Sequence, residues 1–193
     1  MSPDEVRRLV DRYKSQRDSD DADLKREIGL LYSLLDAVRS LNSCSTSDEL
    51  FHAVVRGAIK VCEAERGFIL VVSESGERRT IALTADGGQW DAEADGYSST
   101  VLSQVMDSGR RLVLDADDPS LAKRESAYEL ALRTVACYPL VIEDSVRGAL
   151  YVHSRTGRSF GPVELRTLGA LTELAIATIT RSIADSRNER AAR

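Results

Sequence analysis

The fold is decided by residues 97–160, which begin with Tyr97-Ser-Ser-Thr-Val-Leu-Ser-Gln-Val-Met-Asp-Ser-Gly109 and Arg110-Arg-Leu-Val-Leu-Asp115. Ser98 stands at the expected N-cap of a short helix, and Gly109 stands at the left-handed position that ends it. An isolated strand, an Asp-Pro loop and a short polar helix at residues 120–130 follow. Residues 134–141 and 146–153 then predict a β-hairpin that turns at residues 143–145.

The flanking sequence predicts four further elements. A capping box at Thr46-Ser-Asp-Glu49 begins a helix that runs to about residue 64. The apolar run at residues 68–72 indicates a strand that is central and covered on both faces, and residues 79–85 indicate a strand nearer an edge. Gly161-Pro162 begins the last helix, which carries apolar residues on more than one side as far as Ile183.

The ordered series from about Thr46 to about Ala184, with Tyr138-Pro139-Leu140 and Gly148-Ala-Leu-Tyr-Val152 in its hairpin, resembles a GAF domain. The resemblance implies an α+β fold of the GAF/PAS type with a central antiparallel sheet of five to six strands. Long N- and C-terminal helices then lie on one face, and short helices and loops roof a pocket on the other. The implied division is a helical, coiled-coil dimerisation segment at residues 1–42, the GAF domain at 43–185, and a polar tail or truncated connector at 186–193.

Composition excludes several classes of function. The 193 residues suit one domain, and the hydrophobic fraction of 42% supports a core. The aromatic fraction of 5% and the net charge of -5 argue against a nucleic-acid surface. No apolar stretch approaches the roughly 18 residues of a membrane helix, and the charged N-terminus is unlike a signal peptide, so a cytoplasmic location is expected.

The three cysteines, Cys44, Cys62 and Cys137, are widely spaced and predict neither a disulfide framework nor a metal site. Cys62 falls on the apolar side of a helix and Cys137 falls within a strand, where a thiol usually acts as a small hydrophobic group. Cys44 lies in a polar connection, so it is expected to be the most exposed of the three. The two histidines, His52 and His153, are expected to be structural or exposed rather than metal ligands.

A narrow apolar stripe near the N-terminus follows the 4-3-4-3 spacing of a coiled-coil seam. Its members are Leu24, Ile28, Leu31, Leu35 and Val38. This spacing predicts a parallel homodimer held by the stripe together with the outward side of the last helix. The alternative is a single amphipathic helix that packs on its own domain.

The resemblance to GAF domains places a ligand pocket under the roof helices. The candidate pocket residues are polar or aromatic: Trp90, Tyr97, Ser99, Thr100, Asp115, Arg124, Tyr128, Arg133, Tyr138 and His153. Rings mixed with a few polar groups suit a small planar or heterocyclic ligand. Trp90 is expected to close the roof near Tyr97 and Tyr128. The alternative for each residue is that it completes the core and its rim.

The resemblance implies a non-catalytic sensory or regulatory domain, which binds a small molecule or dimerises to control an output domain of a signal-transduction or transcription-regulating protein. Markers of the cyclic-nucleotide, bilin-binding and methionine-sulfoxide-reducing subsets of the family are missing, and no nucleophile motif or cofactor motif is present. Two alternatives stay open. One is a small redox enzyme of the free-methionine-sulfoxide-reductase type, and the other is a dimerisation module without a ligand.

Overall fold

A computed structural model of the chain describes residues 21–191 apart from positions 22, 23, 26, 30, 34, 41, 45, 74, 93–95, 116, 123–129, 157 and 158. The strands are β1 (Arg66–Val72), β2 (Arg78–Thr84), β3 (Leu112–Leu114), β4 (Thr134–Ile142) and β5 (Ser145–Ser154). The helices that follow the N-terminal segment are α1 (Ser47–Cys62), α2 (Ser99–Ser108), α3 (Pro119–Ala122) and α4 (Pro162–Ala191). The predicted α+β class is confirmed.

The described strands form one antiparallel sheet in the order β2-β1-β5-β4-β3. β2 lies at an edge, as its less regular pattern predicts, and β1 is paired on both sides. β1 is thus an interior strand, as predicted, while the third of the five positions is taken by β5, which pairs with β1 and β4. The β4–β5 hairpin turns at Glu143 and Asp144, both of which have positive φ, as a two-residue turn between twisted strands requires.

Helices α1 and α4 cover one face of the sheet. The capping box at the start of α1 is formed in full, because Thr46 accepts a hydrogen bond from the Glu49 amide and Glu49 accepts one from the Thr46 amide. The core between this helix pair and the sheet contains Val54, Ala58 and Leu171. We call this side of the sheet the helix face.

Helix α2 and the segment around Trp90 cover the opposite side, which we call the roof face. Gly109 ends α2 in the left-handed region, as predicted. Ser98 occupies the N-cap position, as predicted, but its side chain makes no capping hydrogen bond. The Ser98 amide donates instead to the hydroxyl of Tyr151, 3.1 Å away, which ties the start of α2 to the middle strand.

The described residues between 21 and 43 are helical, and this N-terminal helical segment contacts the domain through Ala37. Ala37 packs where α1 carries Gly57, and Asp36 forms an ion pair with Lys60 over 3.0 Å. Four of the predicted seam residues are exposed, and Val38 is partly buried: the exposed fractions are 56% for Leu24, 44% for Ile28, 55% for Leu31 and 53% for Leu35. Those four side chains therefore do not pack on their own domain.

The last helix differs from the predicted two-sided helix. Its isoleucines Ile176, Ile179 and Ile183 belong to the side of the helix that meets the sheet, because Ile179 is buried in the core and the other two are partly buried against that core. α4 continues to Ala191, so the polar residues 186–191 are helical. Over the part of the chain that the structure describes, no helix combines the length and apolar character needed to cross a membrane.

Candidate ligand site under the roof

Aromatic rings fill the space between the sheet and the roof. Phe68 of β1 and Tyr151 of β5 stack with ring centroids 4.7 Å apart, and Tyr97 packs edge-on against Phe68 at 5.0 Å. Trp90 and His153 complete the group, with 5.9 Å between their ring centroids. We call these five residues the aromatic cluster. It joins three of the ten candidate pocket residues, Trp90, Tyr97 and His153.

His153 is the anomalous member of the cluster. Its side chain is fully buried, and neither Nδ1 nor Nε2 has a hydrogen-bond partner among the described residues. Burial, followed by the positive charges of Arg155 and Arg66, lowers the pKa of His153 to about 4. The imidazole is therefore neutral near pH 7, with one N–H donor and one lone-pair acceptor unused. A buried polar group without partners is costly, so this residue needs an explanation beyond packing.

Trp90 is held in place by hydrogen bonds of its backbone and of its side chain. Its amide donates to the carbonyl of Ala82, and Gln89 forms a bridge with Leu83, so the segment extends the edge of β2. The indole Nε1 donates to the carbonyl of Gly67 over 3.3 Å, and only 8% of the residue is exposed. The guanidinium of Arg66 lies 5.0 Å from the ring centroid. Trp90 thus belongs both to the core and to the wall beside His153.

A small cavity lies behind Trp90. It measures about 250 Å³ and is lined by Thr80, Ile81, Ala82, Gln89, Trp90, Asp91 and Ala92 together with His52. Trp90 borders this cavity and also contacts the ring of His153. Trp90 is therefore shared between the cavity lining and the aromatic cluster.

Five of the other candidates do not join the cluster. Ser99 and Thr100 are exposed on the outer side of α2, and Arg133 is exposed before β4. Asp115 accepts a hydrogen bond from the Asp117 amide and so closes its own loop. Tyr138 lies on the helix face, where its hydroxyl donates to the carbonyl of Leu165 over 2.9 Å, so its predicted place under the roof is wrong.

The remaining two candidates, Arg124 and Tyr128, lie outside the described residues. Two members of the cluster, Phe68 and Tyr151, were absent from the predicted set. The alternation of side chains along β5, combined with the pairing of β1 and β5, would have identified both residues. Tyr151 is two residues before His153 in one strand and therefore shares its face, and Phe68 is the β1 residue paired with Tyr151.

The cysteines are placed as predicted. Cys62 and Cys137 are buried, on opposite faces of the sheet, and Cys44 is partly exposed. Burial raises the pKa of Cys62 to about 12 and also raises the pKa of Cys137, so both thiols stay protonated at neutral pH. Among the described residues, no group of histidine, cysteine and acidic side chains has the arrangement to hold a metal ion.

The GAF domain profile matches residues 46–179, which is most of the chain. This protein belongs to the GAF domain family, whose members are generally sensory or regulatory modules. No curated protein matches the sequence.

Solved structures agree with the family on the fold. The GAF domain of an Acinetobacter phosphoenolpyruvate-protein phosphotransferase is similar, with a TM-score of 0.60 at 15% identity over 82% of this chain and 97% of that chain. The cyanobacteriochrome TePixJ GAF domain gives 0.57 at 16% identity over 73% and 93% of the two chains. The chromophore-binding domain of Stigmatella aurantiaca bacteriophytochrome gives 0.54 at 13% identity over 82% and 60%.

Proposed function

We propose that this GAF domain is a sensory module that binds a small planar molecule under the roof and passes the binding event to an output domain. The observation that carries the proposal is the buried His153, whose two ring nitrogens have no partner among the described residues. A ligand with a hydrogen-bonding edge supplies the missing partner. The stacked rings of Phe68 and Tyr151 supply the flat apolar floor that a planar ligand fits.

Ligand entry requires the cluster to open, because its rings are in contact with one another. We take Trp90 as the residue that moves, since it lines the 250 Å³ cavity and its ring also contacts the ring of His153. The single side-chain bond that holds the indole, from Nε1 to the carbonyl of Gly67, is long at 3.3 Å. The ligand selects the open arrangement by binding it better than the closed one, and this difference in affinity sets the size of the response.

The response reaches α2 through Tyr151. The Tyr151 hydroxyl accepts a hydrogen bond from the Ser98 amide at the start of α2, and its ring contacts both Tyr97 and His153. A ligand that displaces Tyr97 or turns Tyr151 therefore shifts the roof helix relative to the sheet. In the full-length signalling protein, the terminal helices carry this change to a regulatory output such as transcription control.

A second role, dimerisation, is supported by a separate observation. Leu24, Ile28, Leu31 and Leu35 are each at least 44% exposed and keep the spacing of a coiled-coil seam. A second copy of the chain offers the same stripe and covers it in a parallel homodimer. The redox-enzyme alternative is not proposed, because it needs reactive thiolates while Cys62 and Cys137 are buried and protonated.

Native mass spectrometry of freshly purified protein tests the ligand proposal. We expect a retained small molecule in the wild type, its loss in Tyr97→Ala, and its retention in Arg133→Ala, a control at an exposed residue outside the cluster. A library of planar heterocycles, followed through Trp90 fluorescence, extends the test to ligands lost during purification. No retained compound together with no saturable fluorescence change would overturn the proposal and leave dimerisation as the function.

A further inference from the structure

An open cavity of about 560 Å³ lies on the helix face, away from the aromatic cluster. Its wall is formed by the start of α1, the ends of β1 and β4, and α4 near residues 179 and 183. We call it the arginine groove, because Arg78, Arg79 and Arg147 all line it. We propose that the arginine groove binds an amphipathic monocarboxylic acid, with its apolar body against α4 and its carboxylate at Arg147.

The interior of the groove is apolar. Its apolar lining residues are Leu50, Phe51, Val71, Val72, Ile142, Ile179 and Ile183. Four of them, Leu50, Phe51, Ile142 and Ile179, belong to the buried core, so this wall is rigid. The volume lies in the range of about 300–1,000 Å³ that is usual for small-molecule clefts. An acyl chain or an aromatic body of modest size fits a space of this kind.

The charges of the groove favour an anion. Arg79 pairs with Asp48 and lies 5.6 Å from the ring centroid of Phe51, so its charge is already compensated. Arg147 is partly buried, and it forms no ion pair and no side-chain hydrogen bond among the described residues. A partly buried guanidinium without a counter-charge is a ready partner for a carboxylate, which it holds through two parallel hydrogen bonds.

Further charges stand at the opening. Arg78 is exposed and has no ion pair among the described residues, so it adds a second cation for the same anion. Glu77 and Glu143 also line the opening, and Glu143 already has an interaction of its own. Because Arg79 is paired with Asp48, the other two arginines are balanced in number by the two glutamates, and the preference for an acid rests on Arg147 itself. A neutral molecule of the same shape therefore gains less than the acid.

The arginine groove lies where α1 and α4 meet, so a bound acid would act on both helices. Ile179 and Ile183 belong to α4, the helix that continues to Ala191. A bound acid contacts α4 and the start of α1 together, so it holds the two helices in one relative position. This input is independent of the roof site, since the two sites lie on opposite faces of the sheet.

Isothermal titration with sodium octanoate tests the proposal on the full chain. We expect saturable binding of one octanoate per chain, and binding of 1-octanol that is weaker by about tenfold or more because the charge is absent. Arg147→Gln should weaken octanoate binding by about tenfold, and Arg147→Lys should retain most of it. Arg110→Gln, at an exposed arginine outside the groove, should leave the affinity unchanged.

Two results would overturn the inference. One is the absence of saturable octanoate binding in a protein whose melting curve shows it to be folded. The other is equal binding of octanoate to the wild type and Arg147→Gln. If octanoate fails while Arg147→Gln changes the sedimentation coefficient, the groove is covered by a second copy of the chain and the acid site is wrong. The His153→Leu variant should bind octanoate normally, which separates this inference from the roof site.

Discussion

The stacked rings of Phe68 and Tyr151 lie directly across the β1–β5 register, where Phe68 is the partner of Tyr151. Because paired residues of antiparallel strands share a face, this stack fixes the floor of the roof site. His153, two residues further along β5, is held beside the floor, with 5.8 Å between its ring centroid and that of Tyr151.

Replacing His153 by leucine should stabilise the ligand-free protein while removing the polar edge of the site. Two unpaired nitrogens leave the core, so we expect a gain of about 1 kcal/mol in the free energy of unfolding at pH 7.5. Urea denaturation measures this gain. His52→Leu, at a partly buried histidine outside the cluster, is the control and should not produce it. Lower stability in His153→Leu would mean that the imidazole has a partner.

The same histidine gives the stability a pH dependence of known sign. The pKa of His153 in the folded protein, about 4, lies below the ordinary value of 6.5, so the unfolded chain binds the proton first. Its contribution is complete above pH 6.5 and is lost as the pH falls toward 4, by roughly 3 kcal/mol at most. Urea titrations between pH 7 and pH 4 should show a smaller loss in His153→Leu than in the wild type. Equal losses would contradict the buried neutral state.

Replacing Trp90 by alanine should destabilise the fold more than the loss of a surface lid would. The indole is buried and bonded to the carbonyl of Gly67, so we expect a loss of about 3 kcal/mol in the free energy of unfolding. Denaturation followed by circular dichroism measures it, since the fluorophore is absent in this variant. Trp90→Phe, which keeps a ring, should lose less. A melting temperature within a few degrees of the wild type would favour a lid over a core role.

Charges placed in the N-terminal stripe should dissociate the proposed homodimer. Leu31→Asp combined with Leu35→Asp buries unpaired carboxylates in the seam, which costs several kcal/mol per group. Sedimentation velocity should show a monomer for this double variant. Gly29→Asp adds a carboxylate at an exposed position outside the stripe and should leave the dimer intact. A dimer that survives the double substitution would place the interface elsewhere.

Replacement of glycine by alanine should have opposite effects on stability at Gly148 and at Gly29. A Cβ on Gly148 would collide with the backbone carbonyl of Leu70 in β1, so Gly148→Ala should cost about 3 kcal/mol or more and loosen the β1–β5 pairing. A Cβ on the exposed, helical Gly29 meets nothing within 4 Å, and Gly29→Ala should stabilise by about 0.5–1 kcal/mol. Thermal unfolding of both variants checks the contrast, and a tolerated Gly148→Ala would contradict the close strand approach.

The sequence predicts well those parts of the fold that depend on neighbours in the chain. The Thr46 capping box, the end of α2 at Gly109 and the hairpin turn are satisfied within a few residues, so local patterns identify them. Ser98 shows the limit, because its amide is satisfied by Tyr151, 53 residues away. No local pattern contains that bond.

The predicted place of Tyr138 is wrong because the apolar pattern of β4 does not identify the face of the sheet on which each residue lies. Both faces of this sheet are covered, so apolar residues occupy both sides of β4 and the pattern does not say which side Tyr138 faces. The pairing of β4 with β5 determines the face of Tyr138, because Tyr138 is the partner of Leu150, a residue of the helix-face core. The burial of Trp90 also depends on pairing. The bridge between Gln89 and Leu83 that fixes its strand-like position is invisible to periodicity.

Three helical segments pack together at Gly57. A Cβ on Gly57 would lie 3.1 Å from Ala37 Cβ and 3.1 Å from Leu171 Cδ2, so the N-terminal segment and α4 meet α1 at one point. α4 packs on the core as far as Ile183 and continues for about 12 Å to Ala191, so a rigid-body shift of the helix at this contact also moves its far end. A β-branched side chain at Gly57 would have no room between these two neighbours and would push the N-terminal segment and α4 away from α1.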